Sequence, residues 1–351
     1  MKNNINWREI TDIAQLQQIR PQWQQLNQRQ SEFQLFNSTA WIFSWLETFW
    51  QNHWYLNVLT AWHNDELVAI APFYYQQGLT IKTLYPLGQG EAEAQEISSE
   101  YLDILIREDL QADALLKIQQ WLEDLPVDQI IWRALTNKSH AKKILNKINA
   151  KISTNNATRY VTDCQSWSSA LLSKNMRSRY RRGLNQLTKL DAKMAWVKAE
   201  DVDKYWQVMK AFHQKRWLNK DKAGAFSCDE FNLFHAKFRK HVPENIAMSA
   251  IWLNDSPIAI HYYFSDSSTL YFYQSGWNEE QYANLSPSLL LHLWSIENSG
   301  KAYYDFMMGK PQDSYKAKFS TLQQPMDNIT ITRNPTKLIL SRILRKLTPS
   351  K

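Results

Sequence analysis

The segment SPSLLLHLWSIENSGKAYYDFMMGKPQDSYKAKF, residues 286–319, constrains the fold more than any other part of the chain. Ser286 suits an N-cap, and Pro287 suits the first helical position, where its missing N–H costs nothing. The pattern predicts a helix from Pro287, a short buried strand through YYDFMMG, a tight turn and then a basic aromatic helix. Just upstream, LYFYQSG (270–276) predicts a strand that ends on glycine and leads into the first of these helices.

The start of that helix has the properties of an anion site. The first amides of a helix have no intrahelical acceptor, so those of Ser288, Leu289 and Leu290 are expected to point outwards. Together with the positive end of the helix dipole, they suit a phosphate group. Phosphorylated ligands are commonly held by elements in this order, namely a strand, a loop, a helix N-terminus and a second strand. The order alone does not identify which ligand is bound.

Length, charge and cysteine content narrow the class of protein. A chain of 351 residues is long enough for two domains. A formal net charge of +7 favours an acidic partner, such as a phosphorylated ligand, an anionic glycan, a membrane surface or nucleic acid. Cys164 and Cys228 form no CxxC pair, so neither a disulfide framework nor a structural zinc site is expected. The sequence shows no signal-peptide pattern and no apolar run near the ~18–20 residues of a membrane span, so we expect a cytoplasmic protein.

The two halves of the chain show a similar order of predicted elements. In the first half the pattern predicts helices over 12–29 and 39–50, strands over 56–62, 67–75 and 79–88, a surface loop over 89–99, a strand over 101–106, a helix over 112–125 and a strand over 129–135. The second half has predicted helices over 168–189, 201–217 and 228–241 and strands over 247–253, 257–264 and 270–276, before the helix and strand described above.

This repetition predicts an α/β chain in which one mixed-sheet fold occurs twice in tandem. We place the boundary in the polar segment 154–163, which gives domains over 1–160 and 161–333. A basic amphipathic tail over 334–351 completes the chain.

The second half also resembles a known family. Six motifs carry the resemblance, in the order FHQKRW (212–217), AIWLNDSPIAIHYYF (250–264), YFYQSGW (271–277), NLSPSLLL (284–291), YYDFMMG (303–309) and YKAKF (315–319). This set resembles the large GNAT-superfamily acyltransferases of the CelD type, which are associated with cellulose biosynthesis and related to the Fem-type aminoacyltransferases of peptidoglycan. The resemblance covers roughly residues 165–325.

The resemblance implies tandem GNAT-like domains and an acyltransferase that needs no metal ion. Its donor would be acetyl-CoA or another acyl-CoA, bound by the second domain. The acceptor would be an amine or hydroxyl group on a sugar, a nucleotide-sugar or a surface-polysaccharide precursor. Acyl transfer requires a binding site for the donor's phosphates (the cradle) and a hydrogen-bond donor to the oxyanion. It also requires a group that takes the nucleophile's proton and a group that protonates the leaving thiolate.

The cradle is assigned to the start of the helix after the LYFYQSG strand. A plain core helix with a good cap would also explain this sequence. The residues assigned to donor binding here are Asn284, Ser286, Ser288 and Leu289.

The last two motifs hold three further candidates. Asp305 lies among apolar residues, where an unpaired carboxyl would have a raised pKa suited to a general base; it could equally accept backbone amides and hold the turn before Gly309. Tyr315 is a candidate for protonating the thiolate. In Fem-type enzymes a lysine in a comparable motif meets the donor phosphates, which assigns this role to Lys316. The alternative for Lys316 is a solvated basic face.

Histidines and arginines supply the remaining candidates. FHQKRW puts His213 and Arg216 on one helix face, as a base and as a clamp for a carboxylate or phosphate, whereas a packed histidine is the alternative. His261 lies among apolar strand residues and is expected to be a core histidine.

The basic run 174–189 contains four arginines within six residues, which predicts a helix that is basic nearly all round. A solvated face explains much of such a run. Fem-type enzymes carry a similar basic helix where acidic acceptors bind, so Arg177 and Arg181 are candidates for binding an anionic acceptor.

The tail is predicted to be an amphipathic helix that either rests on an anionic membrane, at its inner face, or docks on the protein's own surface. Its apolar side would hold Leu340, Ile343, Leu344 and Leu347, and its basic side Lys337, Arg342, Arg345 and Lys346.

Absent motifs limit the alternatives. The sequence has no HExxH, GxxxxGK[ST], GxSxG or GxGxxG, and it lacks the Q/R-x-x-G-x-G/A loop of most GNAT enzymes. Two other functions stay open. One is a Fem-type aminoacyltransferase that uses aminoacyl-tRNA, the only case in which nucleic acid would be a partner. The other is a non-catalytic binding partner in glycan synthesis.

Overall fold

The same order of elements occurs twice in the computed structural model, which describes residues 5–311, 315–319 and 322–347. The first unit holds the described residues up to Ala157 and those from Pro325 onward, and the second unit is Thr158–Gln324. The sequence pattern had residues 325–333 in the second domain, whereas here they pack with the first unit.

The helices are α1 (Ile13–Gln18), α2 (Arg20–Gln28), α3 (Thr39–Phe49), α4 (Gln111–Asp124), α5 (His140–Leu145), α6 (Lys174–Lys189), α7 (Val202–Leu218), α8 (Asp229–His241), α9 (Glu279–Tyr282), α10 (Pro287–Asn298) and α11 (Pro335–Leu347). The strands are β1 (Asn6–Ile10), β2 (Trp54–His63), β3 (Glu66–Gln77), β4 (Lys82–Pro86), β5 (Leu105–Ile106), β6 (Gln129–Thr136), β7 (Lys151–Asp163), β8 (Lys193–Trp196), β9 (Ile246–Leu253), β10 (Ser256–Ser265), β11 (Thr269–Trp277), β12 (Tyr303–Gly309) and β13 (Leu322–Thr332).

Each unit has a mixed sheet built by the same rule. In the first unit the strand order is β1-β2-β3-β4-β6-β13, with β5 beside β3; β1 to β4 are antiparallel neighbours and β4 pairs with β6 in parallel. In the second unit the order is β8-β9-β10-β11-β12-β7, again with antiparallel neighbours up to β11 and a parallel β11–β12 pair. In both units a helix, α4 or α10, lies in the connection from the fourth antiparallel strand to its parallel partner, as a parallel connection requires. The predicted tandem mixed α/β fold is confirmed.

The prediction was wrong for several elements. Residues 12–29 form two helices, 79–88 contributes only β4, and the strand expected over 101–106 is the two-residue β5. The helix expected after β12 is a four-residue 3₁₀ turn, Tyr315–Lys318. Four strands were not predicted. β1 and β8 are short and lack an apolar run, β13 was missed, and the polar segment 154–163, placed at the domain boundary, lies within β7.

Helix α6 is not basic all round. Met176, Tyr180, Gly183 and Leu187 recur at helical spacing and are buried, so one face packs inward while the arginines occupy the rest. Gly183 allows this contact, because a Cβ there would lie 2.6 Å from a methyl carbon of Leu290 on α10.

The tail forms α11 as predicted. Leu340 and Ile343 are about half exposed, and Lys337 donates to Asp128 at 3.0 Å. The side chains of Arg342, Arg345, Lys346 and Leu347, and residues 348–351, lie outside the described part of the chain. Over the described ranges, none of the helices combines the length and apolar character that crossing a membrane would need.

Helix α7 packs directly against β11 at a glycine. A Cβ on Gly276 would lie 2.1 Å from the carbonyl oxygen of Met209 and 3.0 Å from Cβ of Phe212, so backbone would have to move. Gly300 also has a positive φ of 65°, but a Cβ there would meet no atom within 4 Å.

We therefore expect Gly276→Ala to lower the free energy of unfolding by about 3 kcal/mol, an overpacking cost that side-chain motion does not relieve. Gly300→Ala, the matched control, should cost about 1 kcal/mol through its left-handed backbone alone. Urea unfolding of both variants measures this, and equal losses would contradict the close α7–β11 contact.

Candidate active site

The strands β11 and β12 separate soon after they meet. Their parallel pairing covers only Thr269↔Tyr303, Leu270↔Tyr304 and Tyr271↔Asp305. Beyond this point β11 continues along β10, whereas β12 follows β7 with a bulge between Asp305 and Met308. The two strands thus leave an opening in the sheet of the second unit, and α10 starts from the same region.

A buried ion pair holds the bulge. Asp305 is fully buried; its Oδ2 accepts from Nε of Arg159 on β7 at 2.7 Å, and its Oδ1 accepts from the amide of Met307 at 2.7 Å. Met307 has a positive φ of 61°, an uncommon conformation for a side chain of this size. Arg159 also donates to Oε1 of Gln324 at 2.9 Å. The carboxylate therefore shapes the turn, and its pairing does not suit the free general base that was one expectation for Asp305.

Replacing the carboxylate should test this structural role. Asp305→Asn leaves Arg159 buried without its counter-charge, which we expect to cost about 3–5 kcal/mol of unfolding free energy. Chemical denaturation of Asp305→Asn beside the exposed Asp109→Asn measures it. An unchanged midpoint with lost activity would instead support the general-base role.

Aromatic side chains line the floor of the opening. Phe272 of β11 and Phe306 of β12 both contact the ring of His292 on α10, with ring centroids 4.4 and 5.0 Å apart. Phe319, just after the 3₁₀ turn, packs on Phe306 at 5.1 Å. The floor is thus apolar apart from one imidazole.

A hydrogen-bonded network runs from this floor to the start of α10. Nδ1 of His292 lies 2.7 Å from the hydroxyl of Tyr304, and Tyr304 contacts Tyr263. The Tyr263 hydroxyl lies 3.1 Å from Nδ1 of His261, and Nε2 of His261 lies 3.0 Å from Oγ of Ser288. Burial lowers the pKa of His261 to about 3 and that of His292 well below its usual value, so both rings are neutral.

The start of α10 is open to an anion. Pro287 is the first helical residue, as predicted, and Leu290 already donates its amide to the carbonyl of Ser286 at 3.3 Å. Within the part of the chain that the structure describes, the amides of Ser288 and Leu289 have no protein acceptor. These two amides, and not the predicted three, are the free donors.

Ser286 does not cap the helix as predicted. It has a left-handed backbone (φ 53°), makes no side-chain bond to the first turn, and its hydroxyl accepts from Nη2 of Arg179 at 2.9 Å. This contact brings a cation from α6 to the free amides. Asn284 is exposed in the 3₁₀ turn before Ser286.

The corresponding opening of the first unit is filled. β4 and β6 pair only at Thr83↔Gln129 and Leu84↔Ile130, and beyond them the side chain of Gln89 takes the place of a strand. Its Oε1 accepts from the amide of Arg133 at 2.9 Å, and its Nε2 donates to the carbonyl of the same residue at 3.0 Å. The tract 89–99, predicted as a surface loop, is therefore partly buried.

The two crossing helices also differ in charge. Glu108 and Asp109 precede α4, and Asp113 lies in its first turn, so carboxylates already occupy the positive end of this dipole. The first turn of α10 has no acidic residue, and Arg179 lies beside it. An anion is favoured in the second unit and disfavoured in the first.

His213 is a hydrogen-bonding group and a weak base. Its Nε2 accepts from the indole N–H of Trp217 at 2.8 Å, which fixes the tautomer because an indole only donates. Burial first, and then the charge of Arg216, lowers the pKa of His213 to about 4. This does not suit the general base expected from the sequence.

Arg216 lies near Tyr315, a proximity that the sequence did not predict. The guanidinium of Arg216 lies 5.4 Å from the ring centroid of Trp277, and its charge reaches Tyr315. Tyr315 is 47% exposed, yet the protein around it raises its pKa to about 12, so its phenol stays protonated and can donate. Lys316 donates to the carbonyl of Met308 at 2.6 Å and thereby holds the 3₁₀ turn against β12.

Arg177 and Arg181, the two candidates for binding the acceptor, differ in whether their guanidinium groups are already hydrogen-bonded within the protein. Nη1 of Arg177 donates to the carbonyls of Ala170 and Leu172 at 2.8 and 2.5 Å, so this guanidinium braces its own helix start. Arg181 is exposed. Sequence reasoning missed Arg179, although its place four residues before the buried Gly183 marks it as flanking the packed face of α6.

Buried neutral histidines make stability depend on pH. Because the folded pKa of His213 is about 4, below the ordinary value near 6.5, the unfolded chain binds more protons between these pH values. Its contribution is complete above about pH 6.5 and falls on acidification, by up to about 1.4 kcal/mol per pH unit for one titrating group. Glu91, whose pKa burial raises to about 7, acts in the opposite direction.

We therefore expect the difference in unfolding free energy between wild type and His213→Gln to shrink from pH 7 to pH 4.5, since the Glu91 contribution cancels in the difference. Denaturant titrations over this range measure it, with the exposed His53→Gln as control. A difference that is independent of pH would contradict a neutral buried His213.

Over residues 5–311, 315–319 and 322–347, no three side chains of His, Cys, Asp or Glu lie close enough together to bind a metal ion.

Residues 174–317 match the family described as the acetyltransferase (GNAT) domain. A search of curated proteins found no match.

Several solved structures share the fold. FemX is 12% identical with a TM-score of 0.58, over 98% of this chain and 100% of that chain. A conserved protein of unknown function from Bacteroides thetaiotaomicron is 8% identical with a TM-score of 0.54, over 94% and 100% of the two chains. A tandem GNAT protein from the clavulanic acid biosynthesis pathway is 8% identical with a TM-score of 0.50, also over 94% and 100%. At these identities the similarity establishes the fold alone. The protein has the fold of the tandem GNAT structures, and part of its second unit matches the GNAT acetyltransferase domain; together these findings support an acyltransferase.

Proposed function

We propose that the protein transfers an acyl group from an acyl-CoA bound by the second unit, and that the preferred acyl group is acetyl. The acceptor is an amine or hydroxyl of a sugar, a nucleotide-sugar or a surface-polysaccharide precursor. The observation that carries the proposal is the start of α10, where two free amides and Arg179 adjoin the opening between β11 and β12. The resemblance of motifs 212–319 to the CelD-type enzymes supports the acceptor class.

The donor's phosphates fit the start of α10. The amides of Ser288 and Leu289 supply neutral donors, Arg179 supplies a cation, and no carboxylate of the first turn opposes them. Ser286, already bonded to Arg179, would orient that guanidinium. A bound thioester supplies the activated acyl group. The first unit offers no equivalent place, because Gln89 fills its opening, so one donor molecule binds per chain.

The residues around the opening divide the remaining tasks. Tyr315 is protonated at neutral pH and is the donor for the departing thiolate. Lys316 positions this tyrosine by tying the 3₁₀ turn to β12. Arg216, near Tyr315, is the clamp for a phosphate or carboxylate on the acceptor, with the exposed Arg181 as a further contact. The apolar floor of Phe272 and Phe306 excludes water from the thioester.

An aminoacyl-tRNA donor is the second candidate. The exposed Arg181 and Arg182 of α6 favour it, since a row of cations suits a nucleic-acid backbone. The two donors can be distinguished by the salt dependence of binding, because RNA binding weakens steeply as the salt concentration rises.

Thermal shift with CoA, acetyl-CoA and a tRNA mixture at two salt concentrations tests these donors. A ligand at 100 times its Kd adds about 2.7 kcal/mol of stability. We expect stabilisation by both CoA species, weakened by Arg179→Ala and unchanged by Lys189→Ala, which removes an exposed cation at the far end of α6. A salt-sensitive response to tRNA without one to CoA would favour the second candidate, and silence with all three would favour a non-catalytic binding partner.

A further inference from the structure

A pocket lies by the β8–β9 edge of the second unit's sheet, away from the strands β11 and β12 that flank the opening. Its volume is about 500 Å³, within the range of small-molecule sites. The end of β8, the first turn of α7, the last turn of α8 and the start of β9 form its walls. Most of its lining is apolar, including Trp196, Val197, Val202, Ala236, Pro243 and Met248.

Arg239 is the buried cation of this pocket. Only 9% of its side chain is exposed, and its guanidinium lies 4.3 Å from the ring centroid of Trp206. Its Nε and Nη2 both contact Oδ1 of Asp203, at 3.0 and 2.9 Å. Its guanidinium also interacts with the buried hydroxyl of Tyr262. A guanidinium commonly binds both oxygens of a carboxylate, whereas here one oxygen takes both contacts.

Asp203 is a weakly held partner. Its side chain is 84% exposed, and ion pairs at such exposure contribute at most about 1 kcal/mol. Its carboxylate can return to water at little cost, which leaves the Nε–Nη2 edge of Arg239 available. Lys240 also lines the pocket, so two cations there face one carboxylate.

We propose that this pocket binds a small molecule with an apolar body and a single carboxylate, and that this carboxylate replaces Asp203 on Arg239. The body lies against Trp196 and Met248. The proposal is independent of acyl transfer, because none of the lining residues belongs to the candidate active site. It assigns to the second unit a ligand site separate from the donor site.

Calorimetric titration of the full chain with hydrocinnamate, its alcohol and its amine tests the charge requirement. These probes share one skeleton and differ in the head group. We expect saturable binding of hydrocinnamate, about tenfold tighter than that of the alcohol, and no binding of the amine. Equal binding of carboxylate and alcohol, or no binding of any probe, would overturn the proposal.

Substitutions locate the site. Ala236→Phe should fill the pocket and abolish binding, whereas Leu233→Phe, at an exposed position of the same helix outside the lining, should leave it unchanged. Asp203→Ala should tighten binding about threefold by freeing Arg239, and Arg239→Lys should weaken it about tenfold. Tighter binding on loss of Asp203 cannot arise from general destabilisation. Weaker binding in Asp203→Ala, or full binding in Ala236→Phe, would reject this site.

Discussion

The buried pair of Arg159 and Asp305 is the interaction on which the second unit's opening depends. Removing two charges from water is costly, and the cost is offset only when every lone pair and proton finds a partner. Here the carboxylate takes the guanidinium and the amide of Met307, while Arg159 also reaches Gln324. The pair fixes a left-handed residue in the middle of β12. Without this bulge, β12 would continue beside β11 and the sheet would close.

The first unit shows the alternative outcome of the same topology. Its parallel strands part after two residue pairs, where those of the second unit part after three, but Gln89 bonds to both backbone groups of Arg133 and so completes the sheet with a side chain. Carboxylates meanwhile occupy the start of α4. Two copies of one fold thus differ in the two features that decide anion binding: whether the sheet is open, and which charge meets the helix dipole.

The sequence predicted what depends on local pattern. Pro287 fixed the start of α10, and the spacing of apolar residues gave most strands and the repeated order of elements. It could not predict contacts between distant residues. Arg159 and Asp305 are 146 positions apart, so the sequence left open whether Asp305 is a free base or holds the turn, and it could not show the ion pair with Arg159. The role of Arg179 depends on Gly183 packing against Leu290, which only the assembled helices reveal.

The candidate site works with neutral histidines. His213, His261 and His292 are each buried, and each is held by a neighbour's hydroxyl or indole group. Neutral rings in such a network order the groups around them but accept protons poorly. The chain from His292 through Tyr304, Tyr263 and His261 to Ser288 therefore serves to fix the first turn of α10 relative to the aromatic floor. A helix start that is held rigidly keeps its amides directed at one position. Such preorganised donors bind an anion without the entropy cost of ordering them first.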